Sequence, residues 1–329
     1  AVSAETAQAL TERLHSRNAL DRLPPHLEAT YGIRVGAVET LDGGVLRVDH
    51  DGAGPWVARV FCEARPVAGA QGDADILRFL EQQGFPAERL AREDAVSTYE
   101  RQAVLVTTFV DGSRPAADAS TFGRLGDLLG RLQTLPPGPP ATRREAGSLH
   151  HWSVDGGGLR ADLDAAAGWL ESIRDGVAED DRLQFHKLLD LIAATDDLQD
   201  LPQALIHPDF YLANVIASAP DDALVLVDWT GAGMGPRIAP LAFLLWNAAR
   251  APLERAAANI DAIAEAYARH VRLEPAERER LAAAMLKPPL VFDCYSYCLG
   301  RSTLRDVIEG ASACAASAER IAARARQCL

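Results

Sequence analysis

Two kinds of hydrophobic pattern follow one another along the chain, and their order constrains the fold more than any other feature. After 31 residues of helical character come short valine-rich runs, "IRVGAVETL", "GVLRVDH" and "PWVARVF", separated by the turns "DGG" and "DGAG". Apolar runs of this length between Gly and Asp turns are typical of antiparallel strands. The segment "GDADILRFLEQQG" then has helical spacing and stops at a glycine, and "AVLVTTFV" is again a strand.

From about residue 118 onward, the pattern becomes that of helices. "ASTFGRLGDLLGRLQTL" places its apolar residues on one helix face, and nearly everything beyond residue 238 has the same character. Three short strands, "ALIHP", "NVIAS" and "ALVLVDW", lie between these helical parts. The sequence therefore predicts an α+β fold of two lobes, as a length of 329 residues allows. We expect a small N-terminal antiparallel-sheet lobe over residues 1–110 and a larger, mostly helical C-terminal lobe over residues 111–329.

The composition argues against several classes of function. A net charge of −13 makes nucleic acid an unsuitable partner, because phosphate binding needs a basic surface. The chain has no run of about 18 uncharged apolar residues, so we expect no membrane-spanning helix. The first residues, "AVSAETAQALTERLHSR", lack the pattern of a secretory signal, and the five cysteines match no zinc spacing. These features predict a cytoplasmic protein with reduced, buried thiols.

Polar residues interrupt one apolar segment, "LIHPDFYLANVIAS". Asp209 is followed by Asn214 five residues later, and Asp228 comes 14 residues after that, at the end of "ALVLVD". Both aspartates lie where a predicted strand gives way to a loop, so their side chains could reach a shared cleft. Two carboxylates and an amide form an oxygen-rich set that suits Mg²⁺ better than zinc. Because Mg²⁺ shares substrate phosphates as ligands, one aspartate would remain free to accept a proton from an attacking hydroxyl.

This spacing is that of the protein-kinase template, although Trp229 follows the second aspartate where Phe-Gly would be expected. "HPDFYLAN" together with "VDWTGAGMGPR" resembles the aminoglycoside phosphotransferase family, which is close to the choline kinases and has a protein-kinase-like fold. Pro208 stands where that family usually has Gly. The resemblance implies ATP- or GTP-dependent phosphorylation of a small-molecule hydroxyl by in-line transfer of the γ-phosphoryl group. It makes Asp209 the catalytic base, and Asn214 and Asp228 the ligands of Mg²⁺.

The resemblance extends into the N-terminal half of the chain. "LDGGVLRV" looks like the family's first hairpin, in which Gly43 and Gly44 would approach the nucleotide phosphates. "WVARVF" is similar to the third strand, where the template places a lysine against the α- and β-phosphates. Residues 1–186 contain no lysine, so Arg59 would take that role.

A carboxylate on the next helix is implied as the partner of Arg59. By its offset from "ILRFL" it would be Asp73, with Asp75 as the competing candidate. Arg59, Asp73 and Pro208 all depart from the commonest pattern of the family. Their departure keeps open a second hypothesis, a catalytically inactive kinase-like protein that binds a nucleotide or a partner.

"LVTTFVDG" is similar to the hinge that joins the lobes in this family. There the resemblance implies that the carbonyl of Thr108 and the N–H of Val110 meet the edge of the adenine. Val57 from one lobe, and Ile216 with Val227 from the other, would enclose the ring.

The acceptor is implied to be a small hydroxylated molecule, for which an aminoglycoside-like antibiotic, an amino sugar or an amino alcohol is the favoured class. Residues 151–200 hold 12 acidic and four basic side chains, which would suit a cationic acceptor. Asp196, Asp197 and Asp200 lie nearest the catalytic segment in sequence and are the better candidates. Ordinary solvated helix faces are the preferred explanation of this charge.

Other polar features have plainer interpretations. His207 is predicted to brace the catalytic segment, whereas a metal-dependent hydrolase would use it as a ligand together with Asp209 and Asp228. "HHW" at 150–152 is interpreted as a packed loop rather than an acceptor site, and "GGG" at 156–158 as a connector.

Overall fold

The computed structural model describes residue 17 and residues 20–147 and 160–329. The segments "HHW" and "GGG" and most of the helix expected before residue 20 lie outside these residues. In the described part, no helix is long and apolar enough to cross a membrane.

An antiparallel sheet of five strands forms the N-terminal part of the fold, as its valine-rich runs predict. Its strands are β1 (Val35–Asp42), β2 (Val45–His50), β3 (Trp56–Val60), β4 (Val96–Tyr99) and β5 (Gln102–Thr108), in the spatial order β1-β2-β3-β5-β4. The helices α1 (Leu23–Tyr31) and α2 (Val67–Gln82) accompany it. Buried side chains of α2 belong to the same core cluster as those of the sheet.

The strand register decides which side chains face away from this core. Successive residues of a strand point to opposite faces, and in β3 the side chains of Trp56, Ala58 and Val60 are buried. The alternate residues Val57 and Arg59 are half-buried, and Val57 lies opposite Arg47 of β2. The face that carries the basic residue of β3 is therefore free to line a cleft.

The remainder of the chain is largely helical. Its helices are α3 (Ala119–Gln133), α4 (Arg160–Ile173), α5 (Arg182–Ala194), α6 (Ile238–Ala248), α7 (Leu253–Ala268), α8 (Pro275–Ala284), α9 (Lys287–Cys298) and α10 (Leu304–Ala325). Asp118 caps the start of α3 by accepting a hydrogen bond from the N–H of Thr121. Gly126 lets α3 approach α7 closely, because a Cβ at this position would lie 2.5 Å from the carbonyl oxygen of Ile263.

Five short strands lie among these helices: β6 (Gly112–Ser113), β7 (Gln203–Ile206), β8 (Val215–Ser218), β9 (Ala223–Leu226) and β10 (Gly233–Pro236). β7 pairs with β10, and β8 pairs with both β6 and β9, all antiparallel. The segment from 207 to 214 joins β7 to β8, and Asp228 follows β9 by two residues. These pairings bring the polar segment and Asp228 to the same edge of the two small sheets.

The predicted fold class is thus confirmed: an antiparallel N-terminal sheet is followed by a mainly helical region. The boundary at residue 110 stays a prediction. All five cysteines are free thiols, and four of them are buried, as the sequence predicts.

A buried ion pair fixes the end of β10. Glu277 on α8 is fully buried and accepts hydrogen bonds from Arg237 at 2.8 and 2.7 Å, while it also completes the capping box of α8. The backbone oxygen of Arg237 in turn accepts a bond from the side chain of Gln133 on α3.

We predict that Glu277→Gln lowers the free energy of unfolding by about 2–3 kcal/mol, because it leaves a largely enclosed guanidinium without a charged partner. Urea denaturation followed by fluorescence measures this loss. Glu279→Gln, an exposed carboxylate two residues away, is the matched control and should change stability by less than about 0.5 kcal/mol. Equal effects of the two substitutions would contradict the assigned role.

Candidate active site

The segment from His207 to Asn214, which carries the predicted catalytic base, is held in place by hydrogen bonds between its own residues. The residues Leu212–Asn214 form a single turn of 3-10 helix, which brings the amide of Asn214 back towards Asp209. The Nδ2 of Asn214 donates to both the backbone oxygen and the Oδ2 of Asp209, each at 2.8 Å. Because Nδ2 faces Asp209, the orientation of the Asn214 amide is fixed by this contact.

His207 links this segment to the loop after β9. It is fully buried, its Nε2 is 3.0 Å from the carbonyl oxygen of Val227, and its Nδ1 accepts a bond from the N–H of Asp209 at 3.2 Å. These partners require a neutral imidazole with the proton on Nε2, and burial lowers the pKa of His207 in agreement. Both ring nitrogens are therefore engaged, so His207 cannot serve as the metal ligand that the hydrolase hypothesis requires.

Asp228 lies beside these residues in an unusual backbone conformation. Its φ is +62°, in the left-handed region that few non-glycine residues occupy. Its Oδ1 accepts a hydrogen bond from the hydroxyl of Thr230 at 2.8 Å and pairs with Nη1 of Arg59 at 3.1 Å. The N–H of Val227 donates to the backbone oxygen of Asn214. The structure thus places Asp209, Asn214 and Asp228 together on two hydrogen-bonded segments.

Arg59 meets this group from the N-terminal sheet. Its side chain is only 15% exposed, and burial by itself disfavours the charge. The negative charges of Asp228 and then Glu88 outweigh burial, and the pKa of Arg59 is raised. The guanidinium therefore stays charged beside Asp228, and its role in place of the template's lysine stays a prediction.

Asp73 has other partners than the one that the sequence implies. Its carboxylate is fully buried and binds Arg65 of the N-terminal lobe, Arg144, and the N–H of Gly231. The expected ion pair between Asp73 and Arg59 is therefore replaced by the pair between Arg59 and Asp228. The aspartate side chain is one methylene shorter than glutamate, and at this depth of α2 its oxygens are taken up by the two nearer guanidinium groups.

The competing candidate, Asp75, lies on a more open side of α2. It is engaged by Arg78 of the same helix at 2.6 Å and by Gln71. Neither Asp73 nor Asp75 forms an ion pair with Arg59 in the described structure.

Glu88 is a buried residue that the sequence analysis missed. It follows α2 in a loop, and its carboxylate accepts hydrogen bonds from the N–H of Asp228 at 2.7 Å and from the hydroxyl of Thr107 at 3.0 Å. Burial raises the pKa of Glu88, and the charge of Arg59 offsets this only in part. No motif marks this position, because its partners come from two distant parts of the chain.

The residues expected around the nucleotide lie on β1–β3, the hinge and β8. Gly44 has a φ of +76°, and a Cβ there would lie 2.6 Å from the carbonyl oxygen of Val60, so the hairpin turn requires glycine. Beside it, Gly43 is exposed. The hinge residue Phe109 donates its N–H to Pro55 and carries the guanidinium of Arg47 at 4.6 Å from its ring centre.

Two hinge positions and two apolar positions complete this set. Thr108 is exposed at the end of β5, and Val110 is half-buried beyond it. Val57 is half-buried on the cleft face of β3. Ile216, half-buried on β8, lies directly against Gly112, two residues past Val110. The roles of these residues in nucleotide binding stay predictions.

The donor chemistry of the site fits Mg²⁺. Asp228 contributes a carboxylate and Asn214 an amide oxygen, which are hard ligands that suit a cation shared with phosphate oxygens. Among the described residues, no cluster of three or more His, Cys, Asp or Glu could hold a metal unaided. The described residues therefore form no transition-metal site of the hydrolase type, whereas a site completed by substrate phosphates needs no such cluster.

The residues after Asp209 include an aromatic pair. The ring of Tyr211, two residues beyond Asp209, packs against that of Phe243 with centroids 5.6 Å apart. Two of the aspartates predicted above as acceptor candidates have a partner within the protein, because Asp196 and Asp200 both bind Arg280 of α8. Part of the negative charge of this part of the chain is thus balanced within the protein.

The fold and the grouping of Asp209, Asn214 and Asp228 are those expected of a phosphotransferase that acts on alcohol groups. The sequence model of the phosphotransferase enzyme family matches residues 41–283, which is most of the chain. The chain belongs to this family and is a small-molecule kinase.

Solved structures share the fold at low sequence identity. An amicoumacin kinase in complex with AMP-PNP, Ca²⁺ and Ami has a TM-score of 0.61 at 13% identity, with 96% of this chain and 93% of that chain covered. The ethanolamine kinase of Plasmodium vivax gives 0.62 at 12%, covering 96% and 94%. An aminoglycoside phosphotransferase from Alicyclobacillus acidocaldarius gives 0.59 at 17%, covering 95% and 97%. No curated protein sequence matches the chain.

We predict that the stabilisation provided by His207 depends on pH. Its folded pKa lies below the unfolded value of about 6.5, so the stabilisation is present above that pH and is lost as the pH falls through the folded pKa. At pH 7.5, His207→Phe should lower the free energy of unfolding by about 2–3 kcal/mol, since two buried hydrogen bonds are lost. Urea denaturation from pH 5 to 7.5 should show this difference shrinking towards acid pH.

His186→Gln is the matched control, because His186 is exposed on α5. Its effect on the free energy of unfolding should be small. A His207→Phe difference that stays constant from pH 5 to 7.5 would contradict the neutral, buried state of His207.

Proposed function

We propose that the protein transfers the γ-phosphoryl group of ATP, or of GTP, to a hydroxyl of a small molecule, with Mg²⁺ bound by Asn214 and Asp228. The observation that carries this proposal is the convergence of these two residues with Asp209 on hydrogen-bonded segments, opposite Arg59. Catalysis of phosphoryl transfer depends mainly on positioning and electrostatic stabilisation. Carboxylate and amide ligands for the metal, together with a cation for the phosphates, can provide both.

The site residues divide the work between them. When bound, Mg²⁺ neutralises charge on the phosphate oxygens. Asp209 orients the acceptor hydroxyl and accepts its proton, and the Nδ2 contact from Asn214 keeps its carboxylate in one orientation. Arg59 binds phosphate oxygens in place of lysine, and its planar guanidinium can contact Asp228 and phosphate together.

The nucleotide is proposed to lie between the N-terminal sheet and β8. Gly43 and Gly44 approach its phosphates through the backbone, and Val57 and Ile216 enclose the base, with Val227 beside Ile216. Asp73 is not in direct contact with Arg59, but its negative charge adds to those of Asp228 and Glu88 around the guanidinium. The base edge is met by backbone groups of Thr108 and Val110, which accept either ATP or GTP.

The acceptor is proposed to be an aminoglycoside-like antibiotic, an amino sugar or an amino alcohol, and the protein to work in the cytoplasm. The aromatic pair Tyr211–Phe243 supports a cationic molecule.

We predict that Asp209→Asn abolishes detectable turnover, by a factor of about 10³ or more, while the affinity for Mg–ATP stays within about threefold. The reason is that Asp209 acts on the acceptor hydroxyl and not on the nucleotide. Coupled ADP-release assays over a panel of amino sugars, amino alcohols, neutral polyols and hydroxy acids measure turnover, and calorimetry measures nucleotide binding.

Asp221→Asn is the control, because Asp221 lies exposed in the turn between β8 and β9 and should leave both quantities unchanged. Mg–ATP binding by the wild type without turnover on any acceptor would favour the alternative, a catalytically inactive kinase-like protein that binds a nucleotide or a partner. The presence of Asp209, Asn214 and Asp228 together supports the active enzyme instead.

A further inference from the structure

We propose that Glu88 is a positioning residue for the metal site. Its carboxylate holds the backbone of Asp228 in the left-handed conformation that directs the Asp228 side chain towards Arg59. This inference rests on the proposed function, in which Asp228 binds Mg²⁺. It assigns a role to a residue that lies outside the motifs of the sequence and in the opposite lobe from Asp228.

The loop that carries Glu88 is joined directly to the strand before Asp228. The N–H of Leu226 donates to Pro86, and the N–H of Glu88 donates back to the carbonyl oxygen of Leu226, both at 3.0 Å. Ala87 and Leu226 thereby form a parallel bridge between the lobes. The position of Glu88 relative to the metal loop is consequently set by main-chain bonds rather than by a flexible side chain alone.

The carboxylate of Glu88 then accepts three hydrogen bonds. Its Oε1 accepts from the N–H of Asp228 at 2.7 Å and, more weakly, from the N–H of Trp229 at 3.4 Å. Its Oε2 accepts from the hydroxyl of Thr107 on β5 at 3.0 Å. Glu88 is only 5% exposed, so water cannot readily replace these bonds.

The backbone of Asp228 needs such support. A φ of +62° is unfavourable for a residue with a side chain, by about 1 kcal/mol, and persists only where the surroundings fix it. The short bond to Glu88 satisfies the N–H of Asp228 in this conformation. With the backbone held, Oδ1 of Asp228 reaches both Thr230 and Nη1 of Arg59.

Loss of the acceptor at position 88 would remove the hydrogen bond that Glu88 accepts from the N–H of Asp228. The left-handed backbone conformation of Asp228 would then be less stable. The Asp228 carboxylate would then have no fixed direction, and the affinity for Mg²⁺ should fall. Binding of the metal-free nucleotide depends on other groups and should change little. The ratio of nucleotide affinity with Mg²⁺ to that without it therefore isolates this role from a general loss of stability.

Glu88→Met removes all acceptor oxygens while keeping a side chain of similar length. We expect calorimetry with AMP-PNP to show that Mg²⁺ enhances affinity about tenfold less in this variant than in the wild type, the loss of about one strong hydrogen bond. Glu88→Gln should restore the ratio to within about threefold, because its amide oxygen can accept from Asp228 while its NH₂ donates to the Thr107 oxygen. Glu93→Gln, an exposed carboxylate in the same loop region, is the matched control.

Thr107 provides an independent test that does not depend on the folding of Glu88→Met. Thr107→Val removes the hydroxyl that orients Glu88 and should lower the Mg²⁺ enhancement by about threefold, whereas Thr107→Ser should preserve it. Amide hydrogen exchange gives a readout without any ligand: the N–H groups of Asp228 and Trp229 should exchange faster in Glu88→Met and Thr107→Val than in the wild type.

The outcomes separate this inference from the proposed function. A wild type that shows no Mg²⁺-dependent nucleotide binding would overturn the proposed function. A wild type with such binding, combined with an unchanged affinity ratio in the folded variants, would overturn the role of Glu88. Equal impairment in Glu88→Gln and Glu88→Met would also overturn it, since that result assigns the effect to charge and not to the hydrogen bond.

Discussion

Buried charges at the junction of the lobes must be paired, and much of the site depends on how this requirement is met. Arg59 is nearly enclosed, and its charge is balanced by Asp228 directly and by Glu88 through space. In a second group, Asp73 binds Arg65 and Arg144. This group contacts the loop that carries Asp228 through the N–H of Gly231. A charge buried without a partner would cost several kcal/mol. The two groups therefore restrict how the lobes can pack against the loop that carries Asp228.

The two groups act on the backbone of one short segment. Glu88 accepts from the N–H groups of Asp228 and Trp229, and Asp73 accepts from the N–H of Gly231. Arg144 adds a bond from its Nε to the carbonyl oxygen of Ala232. Carboxylates of the N-terminal lobe thus fix a loop of the C-terminal lobe, and the position of Asp228 follows from packing between the lobes rather than from the strand that precedes it.

This explains which parts of the site were predictable from the sequence. Asp209 and Asn214 lie five residues apart in one short segment, and Asp228 follows an apolar strand, so local pattern and spacing were enough to group them. The strands β1, β2, β3 and β5 were likewise predicted from short apolar runs and turns, whereas β4 and the order of the strands in the sheet were not. The partners of Asp73 and the presence of Glu88 could not be predicted, because they depend on where α2 and its following loop lie against a segment more than 100 residues away.

Residues 1–186 contain no lysine, so the cation in the cleft is the guanidinium of Arg59 rather than an ammonium group. An ammonium group is a compact point charge, whereas a guanidinium presents several donors in a fixed plane. Arg59 can therefore keep one Nη on Asp228 while its other donors remain available to phosphate oxygens. A planar cation that contacts two anions depends less on an ion pair with a carboxylate of α2. This agrees with Asp73 binding Arg65 and Arg144 instead.

Charge counts along the sequence are a poor guide to the acceptor, because folding pairs many of the charges. Arg280 neutralises Asp196 and Asp200, and Lys287 forms a buried pair with Asp162. What remains near the catalytic segment is an aromatic ring, Tyr211, in the field of both acidic and basic side chains. In the proposed site, recognition of the acceptor therefore depends on shape and on a few directed contacts around that ring, more than on the net charge of residues 151–200.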